Sequence, residues 1–170
     1  GPHPENLTPD TFDLIVQTVR EIIDAVKPVR TFYSLEPMPW MYPDSIDSYQ
    51  RLIRAIQRPQ FAVHCDPVNL ISSPQLYYQN GNLIREFCRS LGPYIRSCHV
   101  KDIILRDHLT VHLDEVRPGL GNLDYVVLLQ EINRLDPDTS LLLEHLPSQE
   151  EYELAAAHIR SVAENLNLRL

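Results

Sequence analysis

Residues 61–69 read Phe-Ala-Val-His-Cys-Asp-Pro-Val-Asn, an apolar strand that runs into an acidic residue and is then stopped by proline. Because side chains alternate across a strand, His64 and Asp66 share one face, while Cys65 lies on the other. An α/β protein delivers functional groups in this way, at the carboxyl ends of its strands. The segment therefore predicts a functional carboxylate at Asp66.

Three more apolar segments each bring a metal-binding or proton-transferring side chain to the end of a predicted strand, and those side chains are Glu36, His99 and Glu144. Stretches with helical spacing separate the strands. This alternation implies parallel strands joined by right-handed crossovers. The polar inner face favours a barrel over an open sheet. The predicted fold class is α/β, with parallel (β/α) units that form half of a TIM-type barrel from four strands and about five to six helices.

Composition sets limits on the class of protein. The chain has 170 residues, of which 44% are hydrophobic and 22% charged, and this is enough for one globular core. Residues 1–7 begin with Gly-Pro and are expected to be a disordered tag remnant, and residues 8–170 are expected to form a single half-barrel domain.

The formal net charge of −8 argues against a nucleic-acid partner. No membrane partner is expected either, since no apolar stretch approaches the roughly 20 residues of a membrane span and no signal-peptide pattern opens the chain. The cysteines Cys65, Cys88 and Cys98 form no CxxC pair, so we expect reduced thiols and a cytoplasmic location.

Four βα units are half of an eight-stranded barrel, which typically needs about 250 residues. A half barrel leaves two unpaired edge strands, and such edges favour pairing with another chain. Two arrangements are therefore expected: a homodimer that closes the barrel, or an N-terminal half of the same barrel in a longer enzyme.

The side chains of Glu36, Asp66, His99 and Glu144 offer three carboxylates and one imidazole. Such a donor set favours one divalent ion, with Mn²⁺ preferred and Mg²⁺, Co²⁺ or Zn²⁺ as alternatives. Each residue alone also has an ordinary structural explanation, such as a turn aspartate or a core histidine. Spacing alone leaves both interpretations open.

Other residues near the strand ends are candidates for supporting the ligands or contacting substrate. His64 lies two residues before Asp66 on the same face, and we predict that it donates a hydrogen bond to a metal ligand instead of binding the metal itself. Trp40 lies in a proline-rich loop after Glu36 that is either a pocket wall or a packed surface loop. Lys101 is either a positive charge near substrate or a solvated lysine.

His145 and the segment Gly119-Leu-Gly121 are two further candidates for the site. Alternation places His145 on the opposite side from Glu144, so it is left outside the ligand set. The Gly119-Leu-Gly121 segment either forms a simple turn or offers free amides to an anion, with the turn favoured.

These segments together resemble the C-terminal half of the xylose isomerase-like TIM barrels, a superfamily that contains the sugar phosphate isomerases and epimerases. The resemblance rests on Glu36-Pro-Met-Pro-Trp40, Asp66-Pro-Val-Asn69, His99-Val-Lys-Asp102, Glu115 with Pro118-Gly-Leu-Gly-Asn-Leu-Asp-Tyr125, and Leu143-Glu-His145. It covers nearly the whole chain from Thr8. The first four strands of the family barrel have no counterpart.

The resemblance implies a fold, a cofactor and an activity. Glu36, Asp66, His99 and Glu144 fall on the four metal ligands of the family, and Asn69 lies in a matching turn. By analogy, the metal chelates a sugar-like, keto-acid or cyclitol substrate while Glu36 and Glu144 exchange a carbon-bound proton through an enediolate. Activity is expected once a second half or a dimer partner completes the barrel.

Three alternatives remain beside an isomerase or epimerase. One is a dehydratase or lyase on a related substrate. Another is an endonuclease IV-like phosphodiesterase, which is disfavoured because it needs more histidines and a DNA-binding face. The last is a catalytically incomplete half barrel that binds metal and self-associates.

Overall fold

The computed structural model describes residues 1–170 and contains seven α-helices and six β-strands. The helices are α1 Pro9–Val26, α2 Ile46–Ile56, α3 Pro67–Leu70, α4 Pro74–Tyr78, α5 Asn80–Leu91, α6 Tyr125–Ile132 and α7 Gln149–Asn165. The strands are β1 Tyr33–Leu35, β2 Phe61–Cys65, β3 Ile95–His99, β4 Asp102–Leu105, β5 Leu113–Val116 and β6 Ser140–Leu142. A 3₁₀ turn, Gly92–Tyr94, leads into β3.

Four strands form one sheet in the order β1-β2-β3-β6, and every neighbouring pair is parallel. The predicted α/β class with four parallel strands is therefore confirmed. The helices outnumber the prediction because Pro67 follows the capping residue Asp66 and starts the one-turn helix α3. The chain also breaks at Gln79, which separates α4 from α5.

The outer face of the sheet is apolar and packs under the helices. Val63, Cys65 and Cys98 are essentially inaccessible there and belong to a cluster of 23 buried residues. Within this cluster Tyr49 of α2 meets Phe87 of α5 edge to face, with ring centroids 5.9 Å apart. The helices thus fix the outer face, which leaves the inner face of the sheet free to carry polar groups.

A smaller apolar cluster joins α1 to α2. Phe12, Val19 and Ile23 of α1 pack against Leu52 and Ile56 of α2. All three cysteines are free and buried. No helix in the structure is both long enough and apolar enough to cross a membrane.

Most helix starts use the hydroxyl caps that the sequence predicts. Thr8, Ser45 and Ser73 each accept a hydrogen bond from a backbone amide at the start of their helix. Ser148 caps α7 in the same way, but the Glu151 side chain does not return a hydrogen bond to complete a capping box. Its Glu151 carboxylate instead pairs with Arg117 Nε at 2.8 Å, which ties α7 to the loop before α6.

Strands β4 and β5 form an antiparallel hairpin, and we call residues 102–116 the arm. The paired strands are Asp102–Leu105 and Leu113–Val116, so residues 106–112 connect them. In the parallel sheet, β1 and β6 each pair on one side only, so both edges are open. Phe32 and Leu142, each 44% exposed, lie beside these edges.

Candidate metal centre

The carboxyl ends of the four parallel strands bring together the four side chains that the sequence singled out. One donor atom from each of Glu36, Asp66, His99 and Glu144 lies within 4.8 Å of all the others. The grouping follows from topology, because parallel strands end at the same edge of a sheet. A cluster of this size and composition can hold one metal ion.

Asp66 is the most enclosed member of the cluster. Its side chain is fully buried, and one of its oxygens caps α3 by accepting a hydrogen bond from the Asn69 amide at 3.1 Å. The other oxygen, Oδ2, faces His99 and Lys101. Burial opposes the charge on Asp66, but the hydrogen bond with His99 and the attraction of Lys101 lower its pKa below the ordinary value.

The His99 imidazole lies between the three carboxylates. Its Nδ1 is 3.3 Å from Glu36 Oε1, 3.3 Å from Asp66 Oδ2 and 3.0 Å from Glu144 Oε1. Burial disfavours the charged ring, but the contact with Asp66 and the charges of Glu144 and Glu36 raise the pKa of His99. The geometry is that of a ligand nitrogen surrounded by ligand oxygens.

Glu36 is the carboxylate whose pKa is raised by the crowding of the site. Burial, followed by the proximity of Asp66, raises the pKa of Glu36. Asn69 Nδ2 donates a hydrogen bond to Glu36 Oε1 at 2.9 Å, which fixes the orientation of the carboxylate. A positive charge between Glu36 and Asp66 would relieve their mutual repulsion.

Lys101 is buried, with 2% of its side chain exposed, so its interpretation as a solvated lysine is wrong. Its Nζ lies 2.8 Å from Asp66 Oδ2 and 2.6 Å from Glu144 Oε1, and it donates to Asn69 Oδ1 at 3.2 Å. Burial opposes its charge, but the attraction and hydrogen bonding of Asp66 raise the pKa of Lys101 above its ordinary range. This burial is not predictable from the sequence, because Lys101 follows the end of β3.

His64 lies beneath the cluster. Its Nδ1 is 2.7 Å from Ser97 Oγ, and its ring meets the His99 ring edge to face with centroids 4.0 Å apart. Burial and the neighbouring His99 lower the pKa of His64 to about 4, so the ring is neutral at pH 7. His64 therefore contacts the candidate ligand His99 by edge-to-face packing, while the hydrogen bond of His64 goes to Ser97 and not to a ligand.

Trp40 lies on the loop after β1, is 40% exposed and makes no side-chain hydrogen bond to the cluster. Met38 of the same loop approaches the site instead, with its sulfur 3.7 Å from Asn69 Nδ2. Whether Trp40 contacts substrate stays a prediction.

His145 turns back toward the cluster, contrary to the expectation from strand alternation. The strand β6 ends at Leu142, and His145 has a left-handed backbone with φ of 57°. Its Nε2 lies 3.6 Å from Glu144 Oε2, and its Nδ1 lies 3.1 Å from Glu115 Oε1. His145 still contributes no donor to the four-residue cluster.

Asp102 is a buried carboxylate whose role sequence reasoning missed. Its Oδ2 accepts hydrogen bonds from the amides of Gly119 and Gly121 at 2.9 and 3.0 Å. Its Oδ1 accepts from Ile103 and Leu123 at 2.9 and 2.8 Å. These glycine amides are therefore occupied within the protein, which supports the simple turn over an anion site.

The cluster also fits a divalent cation by its donor chemistry. Three carboxylates and one imidazole match the oxygen-rich preference of Mn²⁺ or Mg²⁺. Glu144 Oε1 is buried and lies 3.0 Å from His99 Nδ1 and 2.6 Å from Lys101 Nζ, so a cation at this position is already favoured by the protein's own charges.

Comparison with known proteins identifies the family. The pattern of the xylose isomerase-like TIM barrel matches residues 1–162. The chain belongs to the xylose isomerase-like TIM barrel family. No curated protein matches the sequence.

Three solved structures illustrate the similarity of fold. A xylose isomerase-like TIM barrel protein from Mycobacterium smegmatis, in complex with magnesium, is 18% identical with a TM-score of 0.68, and the match covers 92% of this chain and 51% of that one. The probable 3-DHS dehydratase AsbF of Bacillus anthracis, involved in petrobactin synthesis, is 19% identical with a TM-score of 0.66, covering 87% and 55%. The 3-keto-D-glucoside 4-epimerase YcjR of Escherichia coli is 16% identical with a TM-score of 0.60, covering 94% and 58%.

The chain therefore spans about half the length of these structures. Its four-stranded parallel sheet and helices correspond to half of a TIM barrel, as the sequence predicts. Identities this low establish the fold and leave the reaction to the chemistry of the site.

Proposed function

We propose that this chain is the metal-binding half of a divalent-metal-dependent isomerase or epimerase that acts on a sugar, keto-acid or cyclitol. The observation that carries the proposal is the convergence of Glu36, Asp66, His99 and Glu144 within 4.8 Å. These four residues would hold the ion, with Mn²⁺ preferred. A bound cation would supply Lewis acidity toward the substrate oxygens.

Glu36 and Glu144 are the proposed proton-transfer pair. Their carboxylates come from the two edge strands of the sheet, and Glu36 and Glu144 therefore approach the site from opposite sides. Burial, followed by the proximity of Asp66, raises the pKa of Glu36, a direction that favours acceptance of a proton. Asn69 fixes the orientation of Glu36 through its hydrogen bond.

The surrounding residues have supporting roles in this proposal. Lys101 supplies a positive charge beside the ligand oxygens, and this ammonium group can interact with a substrate oxygen. His64 packs against His99 and orients its ring. Trp40, on the loop after β1, is the proposed contact for the substrate.

The test combines metal binding with proton exchange. Adding Mn²⁺ to protein stripped with EDTA raises the melting temperature if the cluster binds the ion. Proton exchange is followed by NMR as deuterium incorporation from D₂O into a panel of ketohexoses. Glu36→Gln and Glu144→Gln abolish incorporation while keeping the fold, and undiminished incorporation in both variants contradicts the assignment.

Dehydration is the second candidate, and the similarity of fold to a probable dehydratase favours it. The same carboxylate pair can remove a carbon-bound proton and assist departure of a hydroxyl group. Product analysis separates the two reactions, because a dehydratase forms a product that is lighter by one water and an epimerase forms an isomer.

Activity is proposed to require the other half of the barrel. The open edges of β1 and β6 and the exposed Leu142 of β6 support pairing with a second copy or with an N-terminal half-barrel. Sedimentation of the 19.7 kDa chain measures self-association directly. A dimer of this chain supports closure by two copies, whereas a monomer with metal and no turnover supports an incomplete half barrel.

A further inference from the structure

The ammonium of Lys101 lies inside the cluster of carboxylates. Its Nζ is 2.6 Å from Glu144 Oε1, 2.8 Å from Asp66 Oδ2, 3.5 Å from Glu115 Oε2 and 3.9 Å from Glu36 Oε1. Since only 2% of the Lys101 side chain is exposed, water contributes little to the solvation of its charge. Lys101 is therefore the positive charge that balances the carboxylates when no other cation is present.

The oxygens that Lys101 contacts are also the candidate ligand oxygens. Asp66 Oδ2 and Glu144 Oε1 are the same atoms that face His99 Nδ1. A divalent cation that binds these atoms meets the ammonium at close range, and like charges repel strongly in a site of low dielectric constant. Cation binding thus requires a second position for the ammonium.

Glu115 offers that position, because it is the one carboxylate near Lys101 that lies outside the donor cluster. It comes from β5 of the arm rather than from the parallel sheet. His145 Nδ1 lies 3.1 Å from Glu115 Oε1, and Oε2 is the oxygen nearer to Lys101. Lysine has a flexible stem and three donors, so a small rotation moves Nζ from one carboxylate to the other.

We propose, on the basis of the metal-binding function proposed above, that Lys101 is the internal counter-ion of the metal-free site and that Glu115 receives its ammonium when the metal binds. Glu115 is then a positioning residue, which acts on the metal through Lys101. It also holds the ammonium beside the metal site, where a substrate oxygen is expected. The ion pair between Glu115 and Lys101 therefore couples the arm electrostatically to the metal centre.

Titration calorimetry with Mn²⁺ tests the exchange without any assay of turnover. Lys101→Met removes the competing charge and tightens Mn²⁺ binding by about 10-fold or more. Glu115→Gln keeps the shape but leaves the ammonium among the ligands, so Mn²⁺ binding weakens by about 10-fold. In the Lys101→Met background, Glu115→Gln changes affinity by less than about 3-fold, since no ammonium remains to be positioned.

Asp114→Asn is the matched control for charge on the arm. Asp114 precedes Glu115 but pairs with Arg106 at 2.8 Å and is exposed, so its substitution leaves the Mn²⁺ affinity within about 2-fold of the wild type. Weaker binding in Lys101→Met overturns the proposal. So does a 10-fold loss from Glu115→Gln that persists in the Lys101→Met background, because Glu115 then acts by its own charge.

Thermal melting in EDTA separates this proposal from the proposed function. Without metal, Lys101→Met lowers the melting temperature by about 10 °C, and adding Glu36→Gln recovers part of the loss by removing one of the unbalanced charges. This result supports the counter-ion role of Lys101 even if the wild type binds no Mn²⁺. Failure of the wild type to bind Mn²⁺ would contradict the proposed metal-dependent function but not the counter-ion role. An unchanged or higher melting temperature in Lys101→Met overturns the counter-ion role.

Discussion

Replacing Asp102 by asparagine removes the carboxylate that holds the base of the arm. The four amides that donate to Asp102 lie 2.8 to 3.0 Å from its two oxygens, and the side chain is 1% exposed. Asparagine keeps one acceptor oxygen and turns an NH₂ group toward two of those amides. Loss of two charge-assisted hydrogen bonds, at about 2 kcal/mol each, predicts a total destabilisation of about 4 kcal/mol.

Urea denaturation followed by circular dichroism measures this loss. For a chain of this length, about 4 kcal/mol corresponds to a fall in melting temperature of roughly 12 °C. Asp114→Asn again serves as control, since this exposed residue on the same arm has only an exposed ion pair to lose. If the free energy of unfolding of Asp102→Asn lies within about 1 kcal/mol of the wild-type value, the loop does not depend on the Asp102 hydrogen bonds.

Two further substitutions test the packing. Gly121→Ala places a Cβ 2.3 Å from Asp102 Oδ1 and 2.4 Å from the Ile103 carbonyl, so we expect a loss of about 3 kcal/mol in urea denaturation; stability equal to the wild type would show that the loop has room. Leu52→Ala empties a fully buried site between α1 and α2 and should lower the free energy of unfolding by about 3 kcal/mol. Leu14 is 62% exposed, so Leu14→Ala should lower it by less than about 0.5 kcal/mol. Equal losses in the two variants would contradict the assigned core.

Much of the fold follows from local sequence signals. Phe61–Cys65 is largely apolar, both it and Ile95–His99 lead to a candidate ligand, and helices flank them, so their parallel pairing is predictable. Thr8 and Ser148 mark helix starts by their hydroxyl groups. The grouping of the four candidate ligands is predictable for the same reason, because parallel strands place their carboxyl ends together.

The features that the sequence could not predict depend on long-range contacts. Asp102 looks like any polar residue after a strand, and only the folded loop brings the glycine amides to it. Lys101 is buried because carboxylates from three other strands surround it. His145 escapes the alternation rule because β6 ends early and its backbone becomes left-handed.

The stoichiometry of Mn²⁺ in titration calorimetry shows whether the four strand ends form one metal site. The structure predicts one ion per chain. Asp66→Asn, which removes the most buried of the ligand carboxylates, should weaken binding by more than about 100-fold. Absence of Mn²⁺ binding in the wild type, or equal affinity in Asp66→Asn, would contradict the assignment.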